Sequence, residues 1–356
     1  MADLFTPLRV GAITAPNRIF MAPLTRCRAG LVHTANALMA EHYAQRASGG
    51  LLIAEATMAM EGNSAFRTEP GIYGAAQVAG WRLVTDAVHA QGGRIYLQIW
   101  HGGRACHPAF NGGAQPVSAS ALAIVGEEVH TPEGKKPHVV PRALNDDEIP
   151  GIVAGFRKAA ENAKAAGFDG VEVHGANGYL LDQFLRDGSN KRDGAYGGTR
   201  ENRARLMCEV IEAVSQVWGS DRVGLRLSPL NSYNGIIDSD PVGLVTWMAS
   251  HLNSFNLAYL HLMRGDFYGK QSGDVMTPVR ANYRGVLIGN MGYGPEEADA
   301  AITDGKLDAV AFGTAFLANP DLPARIKAKA ALNPPNPATF YSSGPEGYTD
   351  YPALEG

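Results

Sequence analysis

Cysteine is scarce in this sequence: Cys27, Cys106 and Cys208 are the only three in 356 residues. An odd count without a CxxC spacing excludes a disulfide framework and any four-cysteine zinc or iron–sulfur set. Long apolar runs are missing as well. The most apolar stretch, Ala309 to Ala318, is interrupted by Gly313 and Thr314 and falls well short of the ~18 residues a membrane helix needs. The start, Met1-Ala2-Asp3-Leu4-Phe5-Thr6-Pro7, has neither a basic leader nor an apolar segment, so no secretory signal and a reducing, cytoplasmic location are expected. An excess of basic charge is also lacking. With 31 Lys and Arg against 35 Asp and Glu, a net charge of −4, and no basic cluster, nothing offers a footprint for nucleic acid. Turn formers, by contrast, are abundant: 42 glycines and 21 prolines are well above background and imply long loops. A hydrophobic content of 45 % still supplies a large core, which excludes disordered, collagen-like and low-complexity classes.

Short aliphatic or β-branched runs recur along the chain, near Arg18–Met21, Leu51–Ala56, Arg94–Trp100, Gly170–His174, Val223–Leu227, Ala258–Leu262, Val286–Ile288 and Ala309–Phe312. Amphipathic segments lie between them at Thr34–Ala47, Gln77–Ala90, Ile149–Ala165, Glu201–Val217, Pro241–Asn253 and Pro295–Thr303. Several carry boundary signals: Asp146 or Asp147 ahead of Ile149, Thr199 ahead of Glu201, Gly219 after Trp218, and Pro295-Glu296-Glu297 as a first turn. Eight strands alternating with helices predict an α/β fold, a closed (β/α)₈ TIM barrel. No GxGxxG follows the first strand, which weighs against an open dinucleotide-binding sheet. Leu4–Thr14 reads as a hairpin plugging the barrel bottom. The Gly- and Pro-rich stretch from about 101 to 148 is too long for an idle loop and reads as a partly β-structured lid. With no repeat and no linker, a single domain spanning 1–356 is expected.

Active sites of such barrels form at the C-terminal strand ends. Those ends carry Thr25, Ala56-Thr57, Gln98 with Trp100 and His101, the run His174-Gly175-Ala176-Asn177-Gly178-Tyr179, Arg226, Gly289-Asn290-Met291-Gly292, and Gly313-Thr314. Each has an ordinary reading too. His174 is also a plausible structural histidine, Thr25 a turn cap, Gln98 a buried amide and the glycines plain loop residues. Arg226, inside Val223-Gly224-Leu225-Arg226-Leu227, is a buried charge that must be paired or must face an anion. The spacing His174-x-x-Asn177-x-Tyr179 is the most telling. Directly after a strand, it lets imidazole and carboxamide aim two neutral donors at one oxygen that gains charge as hydride reaches a conjugated carbon. Tyr179, as a weak acid, can then deliver a proton. Asn and Tyr make a poor metal set, and no predicted strand end offers a Schiff-base lysine.

These residues resemble the old yellow enzyme family of FMN-dependent ene-reductases. The match includes Met21-Ala22-Pro23-Leu24-Thr25-Arg26, Leu97-Gln98-Ile99-Trp100-His101, the His174 motif, Tyr179-Leu180-Leu181-Asp182-Gln183-Phe184-Leu185, Tyr196-Gly197-Gly198 with Glu201-Asn202-Arg203, and Glu346-Gly347-Tyr348-Thr349-Asp350-Tyr351-Pro352. Together they run along nearly the whole chain, most like its bacterial N-ethylmaleimide and pentaerythritol tetranitrate reductase branch.

The resemblance implies FMN as cofactor. Thr25 would bond flavin O4, Gln98 the pyrimidine edge, and Arg226 the N1/O2 edge. Pro23, Ala56, Asn290, Met291, Gly292, Gly313 and Thr314 would line the ring, ribityl chain and phosphate. His174 and Asn177 would bind the substrate oxygen, Tyr179 would protonate Cα, and Phe66, Trp100 and Tyr341 would shape the pocket. One position departs from the family: Thr314 stands where an arginine usually clamps the phosphate, so weaker FMN retention is expected. NADPH or NADH would reduce the flavin, and enones, enals, maleimides or nitro compounds would be reduced in turn by hydride from flavin N5. No metal, membrane or nucleic-acid partner is expected, and the protein would be a monomer or small homo-oligomer. The alternatives are a nitroester or nitroaromatic reductase, separated by comparing glycerol trinitrate with cyclohexenone, and a flavin-binding redox sensor without turnover.

Overall fold

A computed structural model describes residues 2–354. Its centre is a closed barrel of eight parallel strands: β3 (Ile19–Met21), β4 (Leu52–Met58), β5 (Ile95–Trp100), β10 (Gly170–His174), β11 (Val223–Leu227), β12 (Tyr259–Met263), β13 (Leu287–Asn290) and β14 (Ala309–Phe312), with β14 pairing back onto β3. Every barrel strand is buried throughout, as expected of strands covered on both faces, and this is why they read as continuous apolar runs. All eight fall within two residues of the predicted runs.

The surrounding helices are α1 (Ala37–Gln45), α2 (Ala75–Ala90), α3 (Ile149–Ala165), α5 (Arg200–Trp218), α6 (Pro241–Leu252) and α8 (Pro295–Thr303), the six expected. Four short ones lie outside those six segments: α4 (Leu180–Leu185), α7 (Met276–Asn282), α9 (Thr314–Ala318) and α10 (Leu322–Ala328). Thr199 caps α5 by accepting from Asn202 N–H, and Gly219 ends it at φ 81°, both as the sequence signals. The start of α3 corrects the expectation. Glu148 occupies the N-cap without a side-chain cap bond, while Asp146 is drawn away to Arg192.

At the barrel foot, β1 (Leu8–Val10) and β2 (Ile13–Ala15) form an antiparallel hairpin. Val10, Ile13 and Ala15 pack against Phe20, Tyr96, Ala258, Tyr259 and Ile288. Ala12 N–H donates to Asp221 O at 2.9 Å. Gly11 sits at φ +53°, where a Cβ would come within 1.9 Å of that same carbonyl oxygen, so the turn requires glycine.

At the opposite end, the insertion between β5 and α3 holds a parallel pair, β6 (Val117–Ser118) with β9 (Arg142–Ala143), and a hairpin of β7 (Glu128–Thr131) and β8 (Gly134–Pro137). Buried Arg104 ties the insertion down, donating to the carbonyls of Leu122, Asn234 and Gly235 at 3.1, 3.1 and 3.2 Å. The C-terminal segment returns as a strap. Tyr348 is fully buried, stacked on His42 at 3.8 Å, with the Arg26 and Arg28 guanidiniums over its ring. None of the described helices is long and apolar enough to cross a membrane.

Candidate active site

The turn after β10 positions the central trio. His174 ends the strand and is buried. Its Nδ1 accepts from Ala176 N–H at 3.3 Å, which leaves the ring proton on Nε2 when the imidazole is neutral. Burial, with Arg226 and His261 nearby, holds its pKa well below the usual histidine value, so it is a neutral donor. Asn177 lies in the left-handed region at φ 57°. Its backbone N–H donates to Ser228 Oγ at 2.7 Å and its carbonyl accepts from Asn234 Nδ2 at 2.9 Å. Asn231 Nδ2 donates to Asn177 Oδ1 at 2.9 Å, which fixes the amide and leaves Asn177 Nδ2 as the free donor. Gly178 follows at φ 71°, and Tyr179 caps α4. The Tyr179 ring packs edge-on to Trp100 at 4.4 Å and to His174 at 5.1 Å. Burial, beside Tyr233 and Tyr341, raises its pKa well above the normal phenol value, so the proton stays on the oxygen.

Below this trio the barrel interior is polar. Gln98 Nε2 donates to Glu172 at 2.7 Å, and Arg226 donates to Asn290 Oδ1 at 2.9 Å. Asn290 Nδ2 in turn donates to Ala311 O at 2.7 Å. Arg226 keeps a buried Nε without a partner. Behind Ala56, Glu55 accepts from Arg26 N–H at 2.9 Å and from Tyr43 at 3.3 Å. Burial pushes its carboxyl up to about 7.

A cavity of about 330 Å³ collects ten of the predicted residues: Pro23, Thr25 and Ala56 on one wall, Gln98 and Arg226 at the base, His174, Asn177 and Tyr179 opposite, and Phe66 and Tyr341 at the mouth. Leu24, Tyr233, Phe267 and Tyr268 complete the lining. An adjoining cavity of about 750 Å³ shares the aromatic mouth and continues under the lid as far as Val129 and His130. Trp100 is fully buried behind Tyr179 and 6.2 Å from Phe66, so it backs the pocket without lining it.

Asn290, Met291, Gly292, Gly313 and Thr314 lie outside that cavity, at the ends of β13 and β14. Met291 and Gly292 are consecutive left-handed residues, at φ 81° and 74°, and bend the chain sharply after β13. Arg264 holds the turn from outside: its Nε donates to Met291 O and its NH2 to Gly292 O, both at 2.9 Å. Its guanidinium pairs with Glu297 and lies 3.7 Å from the Tyr293 ring centre. Thr314 is exposed at the start of α9. At five residues α9 is too short to lend a phosphate there the support of a helix dipole.

Asn231, Glu55, Glu172, His261 and Arg264 were not among the predicted residues. Three of them carried a local signal, a polar or charged residue inside an apolar run: Glu55 in Leu51–Ala56, Glu172 in Gly170-Val171-Glu172-Val173 and His261 in Ala258–Leu262.

Known proteins match this chain over nearly its whole length. Residues 3–333 match the model of the NADH:flavin oxidoreductase / NADH oxidase family. A Leishmania infantum protein named "Probable flavin mononucleotide-dependent alkene reductase" is 50% identical, covering 99% of this chain and 97% of its own. Arabidopsis thaliana 12-oxophytodienoate reductase 2 is 41% identical over 99% of this chain and 96% of its own. Among solved structures, morphinone reductase superposes with TM-score 0.96 at 46% identity, covering 99% and 96%. The old yellow enzyme of Trypanosoma cruzi does so with TM-score 0.96 at 45% identity, covering 99% of both chains.

Proposed function

The chain belongs to the NADH:flavin oxidoreductase / NADH oxidase family, in its old yellow enzyme group, and on that premise we propose how its own residues perform the reaction. It is an FMN-dependent reductase of activated C=C bonds that draws its electrons from NAD(P)H. The base of the cavity fits the cofactor on two observations. Among the described residues no donor reaches Gln98 Oε1, its Nε2 being committed to Glu172, so an acceptor is left for a ring edge. Arg226 presents a buried guanidinium with Nε unpartnered, suited to an anionic edge. Thr25, Gln98 and Arg226 would hold the ring, and the Met291–Gly292 bend with Gly313 and Thr314 the phosphate. When bound, FMN would supply the hydride-transfer chemistry that links the nicotinamide to the alkene.

The carrying observation is the fate of two acceptor atoms. Ala176 N–H occupies His174 Nδ1 and Asn231 Nδ2 occupies Asn177 Oδ1, so both side chains are locked with donors free on the cavity side. Two neutral donors in a dry site stabilise charge developing on a carbonyl or nitro oxygen, and they need no reorganisation as it develops. Tyr179 keeps its proton until the adjacent carbon becomes basic, then delivers it as a general acid. Trp100, Phe66 and Tyr341 exclude water around it. Enones, enals, maleimides and nitroalkenes all have such an oxygen conjugated to the double bond, and the nicotinamide uses the same cavity before them.

Steady-state NAD(P)H oxidation by the FMN-loaded protein tests the proposal. Cyclohexenone should accelerate it well above the rate with oxygen alone. Flavin binding without enone-stimulated turnover would leave a redox sensor instead.

A further inference from the structure

Glu172 is fully buried in the barrel interior, in register with Gln98 on β5 and Gly224 on β11. Its two oxygens have separate partners: Oε1 accepts from Gln98 Nε2 at 2.7 Å, and Oε2 meets His261 Nδ1 at 2.9 Å. A carboxylate only accepts, so the contact fixes which end of the Gln98 amide points inward and leaves Oε1 toward the cavity. Burial keeps the His261 pKa below its usual value, and its Nε2 has no partner. The histidine is therefore a neutral donor and does not cancel the charge of Glu172.

The counter-charge comes from Arg226, paired in register with both His174 and His261. No direct ion pair joins it to Glu172 among the described residues; its bond is to Asn290. Charges held apart in a low-dielectric interior still act on each other and on anything between them. The base of the cavity therefore holds a cation at its surface and an anion one layer behind.

We infer that Glu172 is a positioning residue of the reaction: it fixes the Gln98 amide and opposes the field of Arg226, and thereby sets the reduction potential of the bound flavin. This inference rests on the proposed function. With Glu172 neutral, the Arg226 charge is unopposed and the electron-rich reduced ring is favoured.

The test is the midpoint potential of the FMN-loaded protein, measured against a reference dye, together with FMN dissociation by fluorescence. Glu172→Gln should shift the equilibrium about tenfold toward the reduced form, about 30 mV for a two-electron couple, and weaken FMN binding about tenfold as the Gln98 amide loses its fixed orientation. Glu172→Asp keeps the charge but not the reach. It should leave the potential near wild type while FMN binding weakens, and it decides the matter should Glu172→Gln not fold. Unchanged potential and affinity in Glu172→Gln, or a shifted potential in Glu172→Asp with intact affinity, would overturn the inference. Wild-type protein that binds FMN but ignores enones would instead overturn the reading of function and leave the potentials to judge Glu172.

Discussion

The two ends of the barrel are built on opposite principles. At the foot, Val10 and Ile13 of the hairpin close over Phe20, Tyr96 and Ile288, and the plug's backbone is bonded to Asp221. At the mouth, His174, Gln98 and Arg226 are buried and Asn177 is half-buried, yet each keeps a donor or acceptor that no group among the described residues partners. A buried polar group left unpaired costs of order 1–3 kcal/mol, and both ends carry such groups: Arg226 Nε at the mouth, the Tyr96 and Tyr259 hydroxyls at the foot. What separates the ends is that the unpartnered groups of the mouth line a cavity and those of the foot are packed under the hairpin. The comparison teaches where to expect mutations to act on chemistry and where on folding alone.

The largest expected effect is at the mouth. Tyr179→Phe removes the proton donor while keeping the ring that packs on Trp100. Stopped-flow measurement should show enone reduction slowed about 10²- to 10⁴-fold, the range for a lost general acid, with flavin reduction by NAD(P)H nearly unchanged. The matching change at the foot is Ile13→Ala, a buried truncation that should cost about 3 kcal/mol in denaturant unfolding and leave steady-state kinetics unaltered. An altered KM would break the division between the two ends.

Acid should attack the mouth as well. His101, which closes β5 and accepts from Gly103 N–H at 3.0 Å, is fully buried with its pKa lowered by desolvation from 6.5 to about 4. The unfolded chain binds this proton first, so stability is intact above pH 6.5 and falls between 6.5 and about 4, by about 3 kcal/mol for this group. His101→Asn keeps an acceptor for Gly103 and should flatten that part of the stability profile. A profile unchanged by the substitution would remove His101 from the account. The smallest effect is expected at Thr314→Arg. A cation beside the proposed phosphate site should tighten FMN binding about tenfold, the value of one charge-assisted hydrogen bond; unchanged affinity would mean that the bend held by Arg264 and its neighbours suffices.

Much of this was legible from the chain. The barrel followed from apolar runs of strand length separated by helical periods, because strands buried on both faces have no polar alternation to blur them. The trio followed from the spacing His174-x-x-Asn177-x-Tyr179, since all three sit on one turn. Arg226 announced itself as a charge in an apolar strand. Glu172 carries the same signal, two residues before His174, and its meaning emerges only with Gln98 and His261 beside it. Asn231 and Arg264 act on residues 54 and 27 positions away, across strands whose adjacency is a property of the closed barrel. No local pattern encodes such contacts. The lid reads as long and turn-rich in sequence, but its anchor at Arg104 depends on carbonyls from a distant loop.

The central claim is that two locked neutral donors, His174 and Asn177, share one ligand oxygen over the flavin. A para-substituted phenol titrated into the FMN-loaded protein reads this directly, because its phenolate oxygen would take the same place and its ring would stack on the isoalloxazine. The account predicts a long-wavelength charge-transfer band in the wild type that is weakened at least tenfold in affinity by His174→Ala and by Asn177→Ala. Equal phenol affinity in all three proteins would contradict it.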